Sequence, residues 1–304
     1  MVTVLWKSAY TVVSMKEVMH LPQLKTIGIF GGDKRQYYLA KLIAEMGHRV
    51  LLYNIVGSKD LLGERIVCAE SFQELMGNAS IIICPFPFRI SIDIKFFCSL
   101  IREGQTIIGG GFPPCVLKRV QETKATHYDY SINEDFLIEN AKTTAEGAIA
   151  EVIIKDERRI YESRCVIFGY GKCARELAER LSALEAKVCI VARNLHQLGD
   201  AYDSGYESYY LNDVLENQCD GVNPIAIADY IFNTVPALLL DKKALQYVSK
   251  EAFIMDIASN PGGTDFDSCQ ELKIKAELSL GIPGKYAPKA SARLILRSIR
   301  DLIR

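Results

Sequence analysis

Two spacings of apolar residues alternate along the chain from about residue 24 onward. Short runs rich in β-branched residues, such as 165–168 and 188–191, are typical of strands that are buried on both faces. Between these two runs, apolar residues stand at positions 174, 177, 178, 181 and 184, which is the spacing of one helix face. The order strand, helix, strand predicts a βαβ unit.

The same alternation predicts a series of further strands and helices. The predicted strands cover residues 26–30, 50–53, 80–84, 105–108, 128–130, 165–168, 188–191, 208–210, 230–236, 252–256 and 275–280. A long helix over 140–155 and a terminal helix over 288–304 complete the pattern. We predict an α/β fold of two Rossmann-like, doubly wound parallel-sheet domains joined by a connecting helix, with the C-terminal helix returning to the first domain.

The predicted boundaries follow from these elements. Residues 1–23 form an N-terminal extension or an added strand, and residues 24–140 form the first Rossmann-like domain. Residues 141–285 form a nucleotide-binding domain that includes the connecting helix, and residues 286–304 form the C-terminal helix.

The turn between the first strand and the helix of the second domain spells G-x-G-x-x-A, from Gly169 through Gly171 to Ala174. The first glycine permits a tight turn, the second lets the backbone approach a pyrophosphate, and the alanine keeps the helix close to the sheet. The first amides of the helix have no partner within it and are available to phosphates. We predict a dinucleotide site here, with Lys172 and Cys173 in contact with the cofactor.

The residue after the next strand distinguishes the two nicotinamide dinucleotides. An acidic residue there binds the ribose 2′-hydroxyl of NAD, whereas an arginine accommodates the 2′-phosphate of NADP. The chain has Arg193 at this point and no acidic residue from 190 to 196. We predict NADP in preference to NAD; the alternative is that Arg193 is a solvated loop charge. Further cofactor contacts are predicted at the ends of two later strands, by Asn233, Thr234, Val235, Pro236 and Asp256.

A second glycine turn lies near the start of the first domain. Gly31 and Gly32 follow a predicted strand and precede Asp33 and Arg35. This is the edge at which open α/β sheets bind ligands, so we expect Asp33 and Arg35 to contact a ligand. The alternative is that Asp33 only caps a helix and that Arg35 is solvated.

Composition argues against several classes of protein. The 304 residues carry a formal net charge of −1 without a long run of like charge, which does not favour binding to nucleic acid or to an anionic membrane. The nine cysteines and four histidines lack the spacings of metal sites and of disulfide frameworks, so we expect no metal. No apolar stretch reaches the length of a membrane span, and a signal-peptide core is absent. We expect a cytoplasmic protein with reduced cysteines.

Two longer motifs stand in register with the glycine turns, Pro-Gly-Gly-Thr-Asp-Phe at 261–266 and Gly-Ile-Pro-Gly at 281–284. Together with the shorter motifs they resemble the A subunit of bacterial dipicolinate synthase, from about residue 26 to the C-terminus. The shorter motifs are Gly31-Gly32-Asp33, Arg35-Gln36, Thr144, Glu146-Gly147, Gly169-Tyr170-Gly171, Ala192-Arg193, Asn233-Thr234-Val235-Pro236, Asp256-Ile257-Ala258-Ser259 and Ala287-Pro288-Lys289.

The resemblance implies an NADP-linked oxidation in sporulating bacteria. A dihydrodipicolinate from the lysine pathway would become the aromatic pyridine-2,6-dicarboxylate that is stored in spores. A smaller, flavoprotein-like B subunit is the expected partner, and a homo-oligomer is also compatible with the sequence.

The resemblance also implies which residues bind the two carboxylates of such a substrate. Arginine and lysine are the usual partners of carboxylates, so Arg35 and Lys289 are expected in the cleft between the domains. Asn260 and the amides of Gly262 and Gly263 are expected to add hydrogen bonds.

Glu146 is the expected acid for proton transfer, because it lies on the connecting helix beside the expected cleft. The alternative is that it is a first-turn glutamate that only interacts with the helix dipole. Two other functions stay open. One is an NADP-binding subunit without turnover of its own, and the other is a different NAD(P)-dependent dehydrogenase or an enzyme similar to adenosylhomocysteine hydrolase.

Overall fold

A computed structural model of the chain describes residues 24–304, so the predicted extension or added strand at 1–23 lies outside the described residues. The strands are β1 Thr26–Phe30, β2 Arg49–Tyr53, β3 Ile66–Cys68, β4 Ile81–Ile83, β5 Thr106–Gly109, β6 Thr126–Asp129, β7 Arg164–Phe168, β8 Lys187–Ala192, β9 Glu207–Tyr210, β10 Tyr230–Asn233, β11 Phe253–Asp256 and β12 Lys275–Leu278. The helices are α1 Lys34–Glu45, α2 Phe72–Asn78, α3 Ile94–Ser99, α4 Pro114–Glu122, α5 Glu134–Lys155, α6 Lys172–Ala183, α7 Leu195–Asp203, α8 Leu211–Leu215, α9 Lys242–Leu245, α10 Phe266–Glu271, α11 Ile282–Tyr286 and α12 Pro288–Ile303.

The strands form two six-stranded parallel sheets with the same order of connection. The first sheet runs β3-β2-β1-β4-β5-β6, and the second runs β12-β11-β10-β7-β8-β9. Counted from the first strand of each domain, the first order reads 3-2-1-4-5-6 and the second reads 6-5-4-1-2-3, which is the same doubly wound Rossmann arrangement. The predicted fold class is therefore confirmed. Each sheet has a switch point, between β1 and β4 in one and between β7 and β10 in the other, and ligands bind at such points.

Apolar residues on both faces of each strand explain why the strands read as continuous hydrophobic runs. In β1, Ile29 packs in the cluster under α1 and α12, whereas its neighbour Phe30 packs in the cluster under α2 and α3. In β7, Ile167 and Phe168 divide in the same way between two clusters. Successive side chains of a strand point to opposite faces, so a sheet covered by helices on both sides needs apolar residues at every position.

The connecting helix is longer than predicted. Helix α5 begins at Glu134, and the side chain of Asn133 caps it by accepting a hydrogen bond from the Phe136 amide at 3.0 Å. The predicted start at residue 140 is six residues too late, and the Thr144 hydroxyl in mid-helix donates to the Asn140 carbonyl at 2.8 Å. The predicted domain boundary at 140/141 consequently falls inside α5.

Helix α5 joins the two domains by packing into both cores. Phe136 near its start is buried in the first-domain cluster, and Val152 near its end is buried in the second-domain cluster. The C-terminal helix α12 returns to the first domain as predicted, with Ile295 and Ile299 in one cluster with Leu39 of α1. Between residues 24 and 304, no helix is both long and apolar enough to cross a membrane.

Candidate functional site

A cavity of about 530 Å³ lies at the switch point of the second sheet, where the chain leaves β7, β8 and β10. Its lining residues are Gly169, Tyr170, Gly171, Val191, Ala192, Arg193, Asn194, Gln197, Leu211, Thr234, Val235, Pro236, Ala237 and Leu239. Six of the residues predicted to bind the cofactor are thus brought together: both glycines of the fingerprint, Arg193, and the segment 234–236.

The two fingerprint glycines serve different purposes. Gly169 has a φ of +92°, and a Cβ there would lie 2.7 Å from the Thr234 Oγ1 atom, so only glycine fits this turn. Gly171 has an ordinary φ of −83°, and a Cβ there would meet nothing within 4 Å. The space above Gly171 is therefore open to a ligand.

The start of α6 faces this open space. Gly171 is the N-cap of α6, and no side chain accepts a hydrogen bond from the first amides of the helix. Most other helices of the structure have such a cap, for example α1 with Asp33 and α5 with Asn133. Free amides at the N-terminus of a helix of 12 residues bind phosphate, so a dinucleotide pyrophosphate fits this corner.

Arg193 lies just past the end of β8 and is exposed at the rim of the cavity. Within residues 24–304 it takes part in no ion pair, although many other arginines do. Its guanidinium is therefore available to an anionic group of a ligand.

Asn233 and Asp256, also predicted to bind the cofactor, lie beneath the cavity and do not line it. Both are completely buried. The Asp256 carboxylate accepts hydrogen bonds from Asn233 Nδ2 at 3.0 Å, the Gly263 amide at 2.7 Å, Thr264 Oγ1 at 2.8 Å and the Ala258 amide at 3.0 Å. This carboxylate fixes the loops after β10 and β11, and its own oxygens have no room for a ligand.

The glycines of the loop after β11 are part of the same arrangement. Gly262 has a φ of +84°, and a Cβ there would lie 3.2 Å from an Asp256 oxygen. At Gly263 a Cβ would overlap the carbonyl oxygen of Ala237. Both glycines are buried and allow close packing, while Asn260 is exposed. None of these three residues lines this cavity or the cavity between the domains.

A second cavity, of about 380 Å³, lies between the two domains at the switch point of the first sheet. We refer to it as the interdomain cleft. Its lining residues are Gly32, Asp33, Arg35, Pro85, Phe86, Pro87, Arg89, Asn140, Thr144, Cys173, Ile257, Ala258, Ser259, Ser279, Leu280, Gly281, Ile282 and Pro283. Gly171 lines the first cavity and Cys173 lines the cleft, so the first turn of α6 borders both.

Asp33 and Arg35 form the charged corner of the cleft. Asp33 caps α1 by accepting from the Arg35 amide at 2.9 Å, and a capping box with Gln36 completes the helix start. The Arg35 side chain is not solvated, because the residue is only 5% exposed. Its Nε and Nη2 atoms donate to the Asp33 carboxylate at 2.8–3.1 Å, and Nη2 also donates to the Phe86 carbonyl at 2.6 Å. Among the described residues, Nη1 has no hydrogen-bond partner.

Two glycines bring the domains into close contact beside the cleft. A Cβ at Gly284 of α11 would overlap the Asp33 carboxylate, and a Cβ at Gly147 of α5 would overlap Ile282 of α11. Helix α11 therefore lies directly against both α5 and the Asp33 carboxylate, which sets the position of the second domain relative to Arg35.

Sequence reasoning missed Arg89 and Ser279. Arg89 is exposed in the irregular segment after β4, where the pattern of apolar residues contains no sign of a site. Within residues 24–304 it forms no ion pair, in contrast to Arg35. Ser279 lies just after β12 and is 2% exposed. Nothing in the sequence distinguishes it from other residues that follow a strand.

Three residues predicted at the site lie elsewhere in the structure. Lys289 lies on the outer side of α1, with its ammonium 5.4 Å from the centre of the Tyr38 ring. The Glu146 side chain is 65% exposed and points toward α6, 3.7 Å from Arg180 Nε. Lys172 pairs with Glu134 at 3.1 Å.

Cys173 contacts the interdomain cleft and does not line the nucleotide cavity. Burial raises the pKa of its thiol, so the thiol form is favoured over the nucleophilic thiolate. Among the described residues, no group of three or more histidine, cysteine or acidic side chains is arranged to hold a metal ion.

Comparison with known proteins supports the resemblance that the motifs suggested. Residues 26–131 match the family model for the N-terminal domain of the dipicolinate synthase A subunit. The chain is 29% identical over 170 residues to the dipicolinate synthase A subunit of Bacillus subtilis (strain 168), and the alignment covers 56% of this chain and 55% of that protein. The match thus spans about half the length of the curated relative.

Two solved structures show how far the fold is shared. The dipicolinate synthase A subunit from Bacillus halodurans superposes with a TM-score of 0.75 at 24% identity, over 92% of this chain and 97% of that chain. An L-alanine dehydrogenase superposes with a TM-score of 0.60 at 13% identity, over 91% of this chain and 89% of that chain. The resemblance to the dipicolinate synthase A subunit is confirmed, and both solved structures share the two-domain Rossmann-like α/β fold of this chain.

Proposed function

We propose that this chain, a relative of the dipicolinate synthase A subunit, is an NADP-dependent oxidoreductase that converts a dihydrodipicolinate to pyridine-2,6-dicarboxylate. The observation that carries the proposal is the adjacency of two sites. A cavity suited to a dinucleotide and a cleft with arginines are both bordered by the first turn of α6, through Gly171 and Cys173. A hydride acceptor bound in the first cavity would lie close to an acid bound in the second.

The nucleotide part of the proposal depends on Gly171 and Arg193. The open space above Gly171 and the uncapped amides of α6 suit a pyrophosphate, and the unpaired Arg193 suits the 2′-phosphate that distinguishes NADP from NAD. When bound, NADP supplies the hydride acceptor.

The acid part depends on the arginines of the cleft. Asp33 pairs with Arg35 and holds its guanidinium in place but leaves Nη1 without a partner among the described residues, so Arg35 is a fixed donor. Arg89 forms no ion pair within the described residues and adds a full positive charge. A dicarboxylate would be bound by Arg35 at the buried corner and by Arg89 at the mouth of the cleft.

The reaction requires the protein to position the substrate against the cofactor and requires little chemical activation of either. Loss of a hydride and a proton from a dihydropyridine produces an aromatic ring, so the driving force lies in the substrate. Asp33 is the acidic residue of the cleft lining, and both of its oxygens are engaged by Arg35. In our proposal the released proton therefore passes to solvent at the mouth of the cleft, near the exposed Arg89.

The cofactor assignment is tested with Arg193→Ala, measured by calorimetric titration with NADP and with NAD. A charge-assisted hydrogen bond contributes about 1.5–3 kcal/mol, so NADP affinity should fall by about tenfold to 100-fold while NAD affinity stays unchanged. Arg159→Ala removes an exposed arginine that pairs with Glu162 and serves as the matched control. Equal losses for both nucleotides, or none, would contradict the assignment.

The proposal extends to a partner and a location. In this proposal the partner is a flavoprotein-like B subunit and the location is the cytoplasm of the mother cell of a sporulating bacterium, both on the strength of the resemblance. Incubation of the purified chain with NADP and the lysine-pathway intermediate, with and without the partner, tests for reduced nicotinamide and for pyridine-2,6-dicarboxylate. Turnover only with the partner would favour an NADP-binding subunit that relies on the partner for catalysis.

A further inference from the structure

Ser279 closes the interdomain cleft on the side of the second domain, where β12 ends. The residue is 2% exposed, and its amide donates to the Asp256 carbonyl at 2.8 Å. The backbone at Ser279 is therefore fixed by the same strand end that orders the loop after β11. Ser279 is one of the residues that line the cleft, together with Arg35 and Arg89.

The hydroxyl of Ser279 has one hydrogen-bond partner among the described residues. Lys285 Nζ lies 3.2 Å from Ser279 Oγ. An ammonium group can only donate, so the serine oxygen must be the acceptor of this bond. The hydroxyl proton of Ser279 then remains, and among residues 24–304 no group accepts it.

A buried glutamate holds Lys285 in this position. Glu151 of α5 is 2% exposed, and its Oε1 atom lies 3.5 Å from Lys285 Nζ and 3.8 Å from Lys155 Nζ. Its second oxygen, Oε2, has no partner in the described structure. A buried carboxylate with an unpartnered oxygen is stabilised by nearby ammonium groups. This attraction keeps Lys285 beside Ser279.

A buried hydroxyl without an acceptor is unfavourable, and an anionic oxygen in the cleft would remove that cost. We propose that Ser279 donates a hydrogen bond to a carboxylate oxygen of the acid bound in the interdomain cleft, and that Lys285 is its positioning residue. The ammonium of Lys285 withdraws charge from the serine oxygen and strengthens the donated bond. This inference rests on the proposed function and adds to it a specificity-determining residue that sequence reasoning did not identify.

The test compares Ser279→Ala with the wild-type chain by calorimetric titration with pyridine-2,6-dicarboxylate and, separately, with NADP. Loss of a hydrogen bond to a charged group should weaken binding of the dicarboxylate by about tenfold or more and leave NADP affinity unchanged. Ser279→Thr keeps the hydroxyl and should restore at least half of the lost binding free energy. Lys285→Met should give a smaller loss than Ser279→Ala, because it frees the hydroxyl to rotate without removing it.

Ser163→Ala is the matched control. Ser163 is a buried serine of the same domain whose hydroxyl donates to the Ile160 carbonyl at 2.6 Å, and it is not among the residues that line the cleft. Its loss should leave affinity for the dicarboxylate unchanged. If Ser163→Ala and Ser279→Ala weaken binding equally, the effect is structural and the inference is overturned.

The remaining outcomes separate this inference from the proposed function. If the wild-type chain binds NADP and the dicarboxylate and Ser279→Ala binds both as tightly, the inference fails and the proposed function stands. If Ser279→Ala weakens NADP instead of the dicarboxylate, Ser279 contacts the cofactor and the inference is equally overturned. If the wild-type chain binds neither compound, both fail.

Discussion

Replacing Asp256 by asparagine should destabilise the second domain severely. The carboxylate accepts four hydrogen bonds, three at Oδ2 and one at Oδ1. An asparagine that keeps its oxygen at the Oδ2 position must turn its NH₂ group toward the Ala258 amide, which also donates. One buried donor then loses its acceptor, at a cost of about 1–3 kcal/mol, and the other three bonds lose the contribution of the charge.

We expect the free energy of unfolding to fall by about 3 kcal/mol and the thermal midpoint by about 6–12 °C. Circular dichroism during urea and thermal unfolding measures both. Affinity for NADP should fall as well, because Asn233, which orders the Thr234-Val235 backbone, is itself hydrogen-bonded to Asp256.

Asp241→Asn is the control for this experiment. Asp241 caps α9 through a single bond from the Ala244 amide at 2.9 Å, and asparagine caps helices as well as aspartate does. Its unfolding curve should match that of the wild type. A loss of less than about 1 kcal/mol for Asp256→Asn would refute the view that this carboxylate organises the loops.

Three further predictions follow from single contacts. Gly171→Val should weaken NADP binding at least about tenfold, as measured by titration, with an unchanged melting curve, because its Cβ occupies open space; unaltered affinity would exclude the pyrophosphate from this corner. Tyr130→Phe should raise the free energy of unfolding by about 1 kcal/mol in urea, because the buried Tyr130 hydroxyl has no partner among the described residues; a decrease would reveal an unseen partner. A hydrogen bond from Arg158 lowers the pKa of Asp156 from 3.8 to about 2, so this carboxylate stabilises the fold above pH 3.8 and ceases to do so as the pH falls through 2. Asp156→Asn should therefore lower the melting midpoint at pH 7 and have little effect at pH 2, and equal effects at both values would count against the ion pair.

The architecture was predictable because parallel strands covered on both faces require apolar residues at every position. That requirement makes β1, β7 and β11 visible as continuous runs. The start of α5 was missed because residues 133–135 are polar and resemble a connection between elements, although a cap at Asn133 and acids at 134 and 135 are typical of a helix start.

The part of the candidate site that lies in one strand–helix turn was predictable from the sequence. The part that combines segments distant in sequence, the interdomain cleft, was less so. Gly169 and Gly171 belong to a single strand–helix turn, and their spacing is specific to it. Glu146 was expected at the cleft because it lies on the connecting helix. Two residues rotate a helix by about 200°, so Thr144 faces the cleft and Glu146 faces Arg180.

The Asp33 carboxylate belongs structurally to both halves of the molecule, because Gly284 lies on it while Arg35 is held by it. A chimera that grafted a foreign Rossmann module after α5 would need a residue without a side chain at the equivalent of position 284. With any larger residue the carboxylate would have to move, and the guanidinium would move with it. Exchange of the second domain would thus change the affinity of Arg35 for an acid, although no residue of the first domain is altered.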